Sequence, residues 1–196
     1  MKKEELMALI RANTKVQVDM PDMNIQGITF TDPIEYFVEM THKVGGSIKW
    51  LEKGTNLNTL VHRCYPEARI FATNLKGIDA QLNPDTVTEA AQLNGTDVGI
   101  VRGSLGVAEN ACVWVPQTMK EKAVCFISEN LIIVLNKANI VNNMHEAYER
   151  IEMSQYGFGT FISGPSKTAD IEQALVMGAQ AAKTVTVILT DGDIEF

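Results

Sequence analysis

Ser163-Gly-Pro-Ser-Lys-Thr-Ala-Asp170 is the stretch with the most chemical potential in this chain. It follows the apolar run Phe158–Ile162 and precedes a helix-like segment. Ser163, Ser166 and Thr168 offer hydroxyls, Lys167 a full charge, and Gly164 a backbone that a ligand can approach closely. Asp170, with Gln173 three residues on, resembles a helix N-cap and capping box. A helix starting there would aim free N–H groups and a partial positive charge at the loop. The chemistry this suits is an anion cradle for a phosphate or carboxylate. The competing reading is a tight turn whose hydroxyls cap the helix. The GxxxxGK[ST] pattern of a P-loop is absent.

A second loop, Gly103-Ser-Leu-Gly-Val-Ala-Glu-Asn110, joins two strand-like segments. Gly103 and Gly106 permit flexible or positive-φ backbone. Glu109 stands just before an apolar strand, where a carboxylate is either solvated or held for acid, base or nucleophilic work. Gly103, Ser104 and Asn110 join it as candidate ligand-binding residues, facing Ser163, Gly164, Ser166, Lys167, Thr168 and Asp170 of the first loop.

The elements that must position these loops alternate between helix and strand. Asp32-Pro33 opens a helix to about Val44, with Asp as N-cap and Pro in the first turn. Residues 55–65, 86–93 and 139–153 also read as helices. Strand signals cover 47–51, 68–73, 97–102, 111–115, 123–128, 131–135 and 184–189. Leu131-Ile-Ile-Val-Leu135 is apolar throughout, as in a strand buried on both faces. The alternation points to an α/β fold, a layered, mostly parallel sheet with helices on both faces and an inserted antiparallel portion. Ligands in such sheets sit beyond the carboxyl ends of strands, and both loops are read as standing there. Residues 1–30 form an N-terminal amphipathic helix and connector, with Leu6, Leu9 and Ile10 on one side; residues 31–196 form the α/β domain.

Composition narrows the partners. The chain has 196 residues, 45% apolar and 21% charged, with a net charge of −7. That balance argues against nucleic acid or an anionic membrane, which need clustered Lys and Arg. No apolar run approaches a membrane span, and the start is a poor signal peptide, so the expected location is the cytoplasm. Three cysteines, Cys64, Cys112 and Cys125, are far apart and odd in number, so no disulfide framework is expected. His62 and Cys64 would share a face on a strand, but no zinc or iron–sulfur ligand set is visible. No metal and no cofactor is expected in this chain.

Ser163-Gly-Pro-Ser-Lys-Thr-Ala-Asp-Ile-Glu172, with Gln173-Ala-Leu-Val-Met-Gly178 and a strand after it, resembles the signature of the LUD domain family, which includes lactate-utilisation protein C. Asp97-Val-Gly-Ile100 and Val107-Ala-Glu-Asn-Ala-Cys-Val113 resemble the family's segment of the type "aDvgIt…iAEtGtvv". The resemblance runs from about residue 30 to the C-terminus. It implies a fold similar to the group of sugar-phosphate isomerases, CoA-transferases and formyltetrahydrofolate cyclo-ligases. It also implies a place in an operon-encoded three-protein system that oxidises L-lactate to pyruvate. The two partners carry iron–sulfur clusters, and this chain is similar to the member without them.

The chain departs from the pattern in two places. The family's Gly-Val-His-Gly-Pro is Gly178-Ala-Gln-Ala-Ala182 here, so Gln180 stands for the His and cannot shuttle protons near neutral pH. The Gly after the Glu-x pair is Ala111. Ala108-Glu-Asn-Ala111 is also similar to the Ser-Glu-Asn-Gly motif of CoA-transferases, whose Glu attacks an acyl-CoA thioester. Three readings therefore stay open. One is a lactate-oxidation subunit binding a small anion and iron–sulfur partner proteins. Another is a stand-alone enzyme acting on a CoA thioester, sugar phosphate or folate, with Glu109 as nucleophile or base. The third is a non-catalytic binding module. A homo-oligomer is compatible with each.

Overall fold

A computed structural model of the chain describes residues 2–13, 18–21, 25–169, 175–178 and 182–192. In chain order the elements are α1 Lys3–Asn13, α2 Pro33–Lys43, β1 Ser47–Trp50, α3 Leu57–Cys64, β2 Phe71–Ala72, β3 Val98–Arg102, β4 Leu105–Val107, β5 Cys112–Pro116, α4 Val124–Ile127, β6 Asn130–Asn136, β7 Ile140–Val141, α5 Met144–Arg150, β8 Gly159–Ile162, β9 Lys167–Ala169, β10 Leu175–Met177 and β11 Thr184–Thr190.

Five strands form an all-parallel sheet in the order β1-β11-β6-β3-β2. Period-two alternation divides its apolar residues between two faces. Leu131, Ile133 and Leu135 of β6, with Val185, Val187 and Leu189 of β11, face one way. They pack on Phe37 of α2, Val124 and Cys125 of α4, and Val113 and Val115 of β5. Ile132, Val134 and Ile188 face the other way, with Val98 and Ile100, onto Leu57, Leu60 and Val61 of α3. Helices thus cover both faces, and the α/β layering expected from the sequence stands.

The inserted portion is a second sheet in the order β7-β4-β5-β8. β5 pairs antiparallel with β4 and β8, while β4 pairs parallel with β7. Its inner face completes the main core. Its outer face carries Leu105, Val107, Trp114 and Val141 against Ala147 of α5. Gly103 sits at the junction of the two sheets: a Cβ there would lie 2.4 Å from Val113 Cγ1 and 3.0 Å from Ile133 Cγ2.

Several elements differ from their sequence reading. Residues 103–110 are a strand and a 3-10 turn rather than an open connection. Residues 123–128, read as a strand, contain the helical turn α4. Ser128 Oγ donates back to Val124 O at 2.7 Å, and Gly99 of β3 leaves room for that serine. Residues 139–153, read as one helix, begin with strand β7 because Ile140 and Val141 pair with Gly106 and Val107. The helix proper starts at Met144 behind Asn143, whose side chain accepts from Glu146 N. Within 86–93 only Ala90–Leu93 is helical, as a 3-10 turn. After Ser166 the chain continues as β9, antiparallel to β10, with Lys167 opposite Met177. The helix expected from Asp170 onward is therefore absent at 175–177, where a cross-strand ladder takes the backbone groups; residues 170–174 lie outside the described residues.

The Asp32 cap forms as read: its Oδ1 accepts the Ile34 and Glu35 N–H groups, each at 2.9 Å. α1 forms too, with none of its residues buried. The segment before α2 is tied to the domain: Phe30 N–H donates to Asn142 Oδ1 at 2.9 Å, and Asn143 Nδ2 donates to Ile28 O at 2.8 Å.

Candidate functional site

The fold brings the two candidate loops together. Ser163 Oγ donates to the Asn110 carbonyl at 2.7 Å, joining the end of β8 to the turn before β5. Asn110 Oδ1 accepts the Cys112 N–H at 3.1 Å. Between them Ala111 holds a left-handed φ of 54°, the only positive φ on a non-glycine among the described residues. An L residue there carries roughly 1–2 kcal/mol of strain. The methyl is nevertheless buried in the core.

Glu109 faces the start of α5. Its Oε1 accepts the Met144 N–H at 2.8 Å, and its own N–H donates to Asn142 O at 3.0 Å. A helix leaves its first N–H groups without internal partners, and a carboxylate there is favoured by both hydrogen bonding and the helix dipole. Glu146 Oε2 closes the same corner by accepting the Asn142 N–H at 3.1 Å. The half-buried Glu109 is thus held as a helix cap.

Cys112, read from the sequence only as an unpaired thiol, lies beside this corner. Burial pushes its thiol up, the Ser163 hydroxyl pulls it partly back, and the Glu109 carboxylate pushes it up again. The net direction is upward, which keeps it a thiol rather than a nucleophilic thiolate.

The 163–167 loop opens on a cavity of about 280 Å³. Cys125, Leu131, Ile162 and Val185 give it an apolar floor; Ser163, Gly164, Ser166 and Lys167 stand on its lining. Gly164 has φ +63°, and a Cβ would lie 2.6 Å from Val44 O, so glycine is required twice over. Ser166 latches the loop: its N–H donates to Ala182 O at 3.0 Å, and its carbonyl accepts from Gly178 N at 2.9 Å. Leu131 and Val185 are the second residues of β6 and β11. The cavity therefore sits at the amino ends of the parallel strands, a correction for the 163–170 loop, whereas loop 103–110 does follow the carboxyl end of β3. The Thr168 side chain, Asp170, Gln173 and Gln180 lie outside the described residues.

The remaining candidates go elsewhere. Gly103 is buried between the sheets. Ser104 lines a separate cavity of about 220 Å³ with Leu105, Trp114, Asn139, Arg150, Ile151 and Tyr156. None of its partners was singled out in the sequence. Its members come from five separate stretches of the chain, so no local spacing could have joined them. His62 and Cys64 lie on α3 rather than on a strand, and positions two apart on a helix do not share a face. His62 instead packs against Phe71 in a tilted arrangement, with ring centroids 4.3 Å apart. Among the described residues there is no group of three or more His, Cys, Asp or Glu able to hold a metal ion. No helix among them is long and apolar enough to cross a membrane.

Comparison with known proteins gives this geometry a family. The LUD domain model matches residues 85–190, a span that holds both loops, β6 and β11. The chain is 30% identical over 116 residues to lactate utilization protein C of Shouchella clausii (strain KSM-K16), covering 56% of this chain and 50% of that protein. It is 31% identical over 121 residues to lactate utilization protein C of Geobacillus sp. (strain WCH70), covering 58% and 49%. The chain thus spans about half the length of the curated relatives it matches. A crystal structure of a DUF162 family protein from Deinococcus radiodurans superposes with a TM-score of 0.62 at 14% identity, covering 84% of this chain and 99% of that one. That likeness concerns the fold, and it bears out the α/β layering. With more than half its length matched by the family model, the chain belongs to the LUD domain family.

Proposed function

We propose that this protein is a LUD-domain component of a system that oxidises L-lactate to pyruvate, acting beside partner proteins that carry the iron–sulfur clusters. The observation that carries the reading is the likeness to two proteins named lactate utilization protein C. On this reading the electrons of the oxidation pass through the partners, and this chain contributes binding and assembly. Loops 103–110 and 163–172 supply an anion site, with Lys167 as its charge. The support for that site is the Ser163–Asn110 hydrogen bond and the cavity beside Lys167. The expected setting is the cytoplasm.

The enzyme reading, with Glu109 attacking a thioester, draws less support. One carboxylate oxygen already accepts a backbone N–H, and Glu109 is not among the residues that line the cavity.

Capture of the tagged full chain from its native host, grown on L-lactate, tests the proposal. Co-purification of proteins with the visible absorbance of iron–sulfur clusters is expected. Recovery of the chain without any cluster-bearing partner, under conditions that preserve clusters, counts against it.

A further inference from the structure

The second cavity lies where an open parallel sheet presents ligands. Ser104 follows the carboxyl end of β3, and Asn139 follows the carboxyl end of β6. The exposed Arg150, last residue of α5, also lines it, and Trp114 with Leu105 supplies its apolar lining. Trp114 is fixed: its ring packs on Phe161 at 4.8 Å and its Nε1–H donates to Tyr156 Oη at 3.0 Å. Tyr156 keeps its own hydroxyl proton to donate. Among the described residues, the side chains of Ser104, Asn139 and Arg150 have no hydrogen-bond or ion-pair partner. Lys137, on the same side of the sheet, is already paired with Asp191.

We propose that this cavity binds a small monocarboxylate, with its carboxylate on the Arg150 guanidinium and the Ser104 hydroxyl and its short carbon body against Trp114. The planar guanidinium fork matches a carboxylate in two parallel hydrogen bonds. One cation balances one negative charge, which favours a carboxylate over a phosphate dianion. A volume of about 220 Å³ is below that of sites for drug-sized ligands and suits a small acid better than a nucleotide or CoA. Asn139 and Tyr156 add donors for a hydroxyl or keto oxygen beside the carboxylate. The proposal rests on the lactate reading only in the choice of L-lactate and pyruvate as first probes, and it concerns a second site, separate from the cavity beside Lys167.

The chain has two tryptophans, so Trp50→Phe leaves Trp114 as a fluorescent reporter in the cavity wall. In that background L-lactate, pyruvate, acetate and inorganic phosphate are titrated at constant ionic strength. Saturable change at millimolar monocarboxylate is expected. Arg150→Gln should weaken it about 10–100-fold, as for loss of a charge-assisted pair. Arg150→Lys should recover part of the affinity. Ser104→Ala should weaken it less, and the exposed Arg63→Gln should leave it unchanged. Acetate binding without lactate or pyruvate binding supports the cavity and counts against the lactate function. Absence of any saturable response overturns the proposal. So does phosphate binding as tightly as carboxylate, or binding that survives Arg150→Gln and is lost in Lys167→Gln.

Discussion

Replacing Glu109 separates a structural carboxylate from a chemical one. Its Oε1 accepts the first backbone N–H of α5 at 2.8 Å in a half-buried corner. A hydrogen bond to a charged group contributes roughly 1.5–3 kcal/mol, and a carboxylate at a helix N-terminus about 0.3–1 kcal/mol. Partial exposure lowers both through solvent screening. Glu109→Ala should therefore cost about 2 kcal/mol. Glu109→Gln keeps an oxygen acceptor and loses the charge, and should cost about 1 kcal/mol or less. Urea unfolding at pH 7, followed by circular dichroism, measures both. For a domain of this size the alanine variant should melt about 4–8 °C lower and the glutamine variant about 2–4 °C lower or less. An alanine variant within about 0.5 kcal/mol of wild type, the size of an ordinary surface substitution, would refute the capping argument. Glutamine as damaging as alanine would refute it too.

Three further outcomes follow from particular contacts. Gly103→Ala places a methyl 2.4 Å from Val113 Cγ1, so chemical unfolding should show a loss of about 1–3 kcal/mol; tolerance would place Gly103 outside the core. Burial pushes the Cys125 thiol up to about 12, so a disulfide reagent at pH 8 should label at most Cys64 and Cys112 in the native protein. Rapid native labelling of all three would contradict that burial. Asp97 accepts the Arg69 and Ile70 N–H groups at 2.7 and 2.8 Å, which hold its carboxyl below the usual range. Its folded value lies below its unfolded one, so its contribution is full above about pH 4 and fades as pH falls through the folded value. Asp97→Asn should then destabilise at pH 7, with the difference from wild type shrinking under acid; a difference that does not change with pH sinks the assignment.

What could be read from the sequence was local. Asp32-Pro33 gave away α2 because a cap and a first-turn proline act within a few residues. The run at 131–135 announced a doubly buried strand because both of its faces are apolar. Val124–Ile127 misled because a four-residue apolar run fits a strand and a helical turn equally; the Ser128–Val124 bond and the space at Gly99 decide it in three dimensions. β7 was swallowed by a helical reading because its only reason to be extended is its pairing with β4. The two loops meet through the Ser163–Asn110 hydrogen bond. Their polar groups proved largely engaged: Ser163 on a carbonyl, Glu109 on a helix end. The Ser104–Asn139–Arg150 grouping was invisible because it assembles from the ends of β3, β6 and α5, which only the fold brings together.

Growth of a gene-deletion strain of the native host on L-lactate as sole carbon source is the decisive measurement for a role in lactate oxidation. Growth on L-lactate should be lost, growth on pyruvate kept, and the intact gene should restore the first. Undiminished growth and L-lactate consumption in the deletion strain would contradict it.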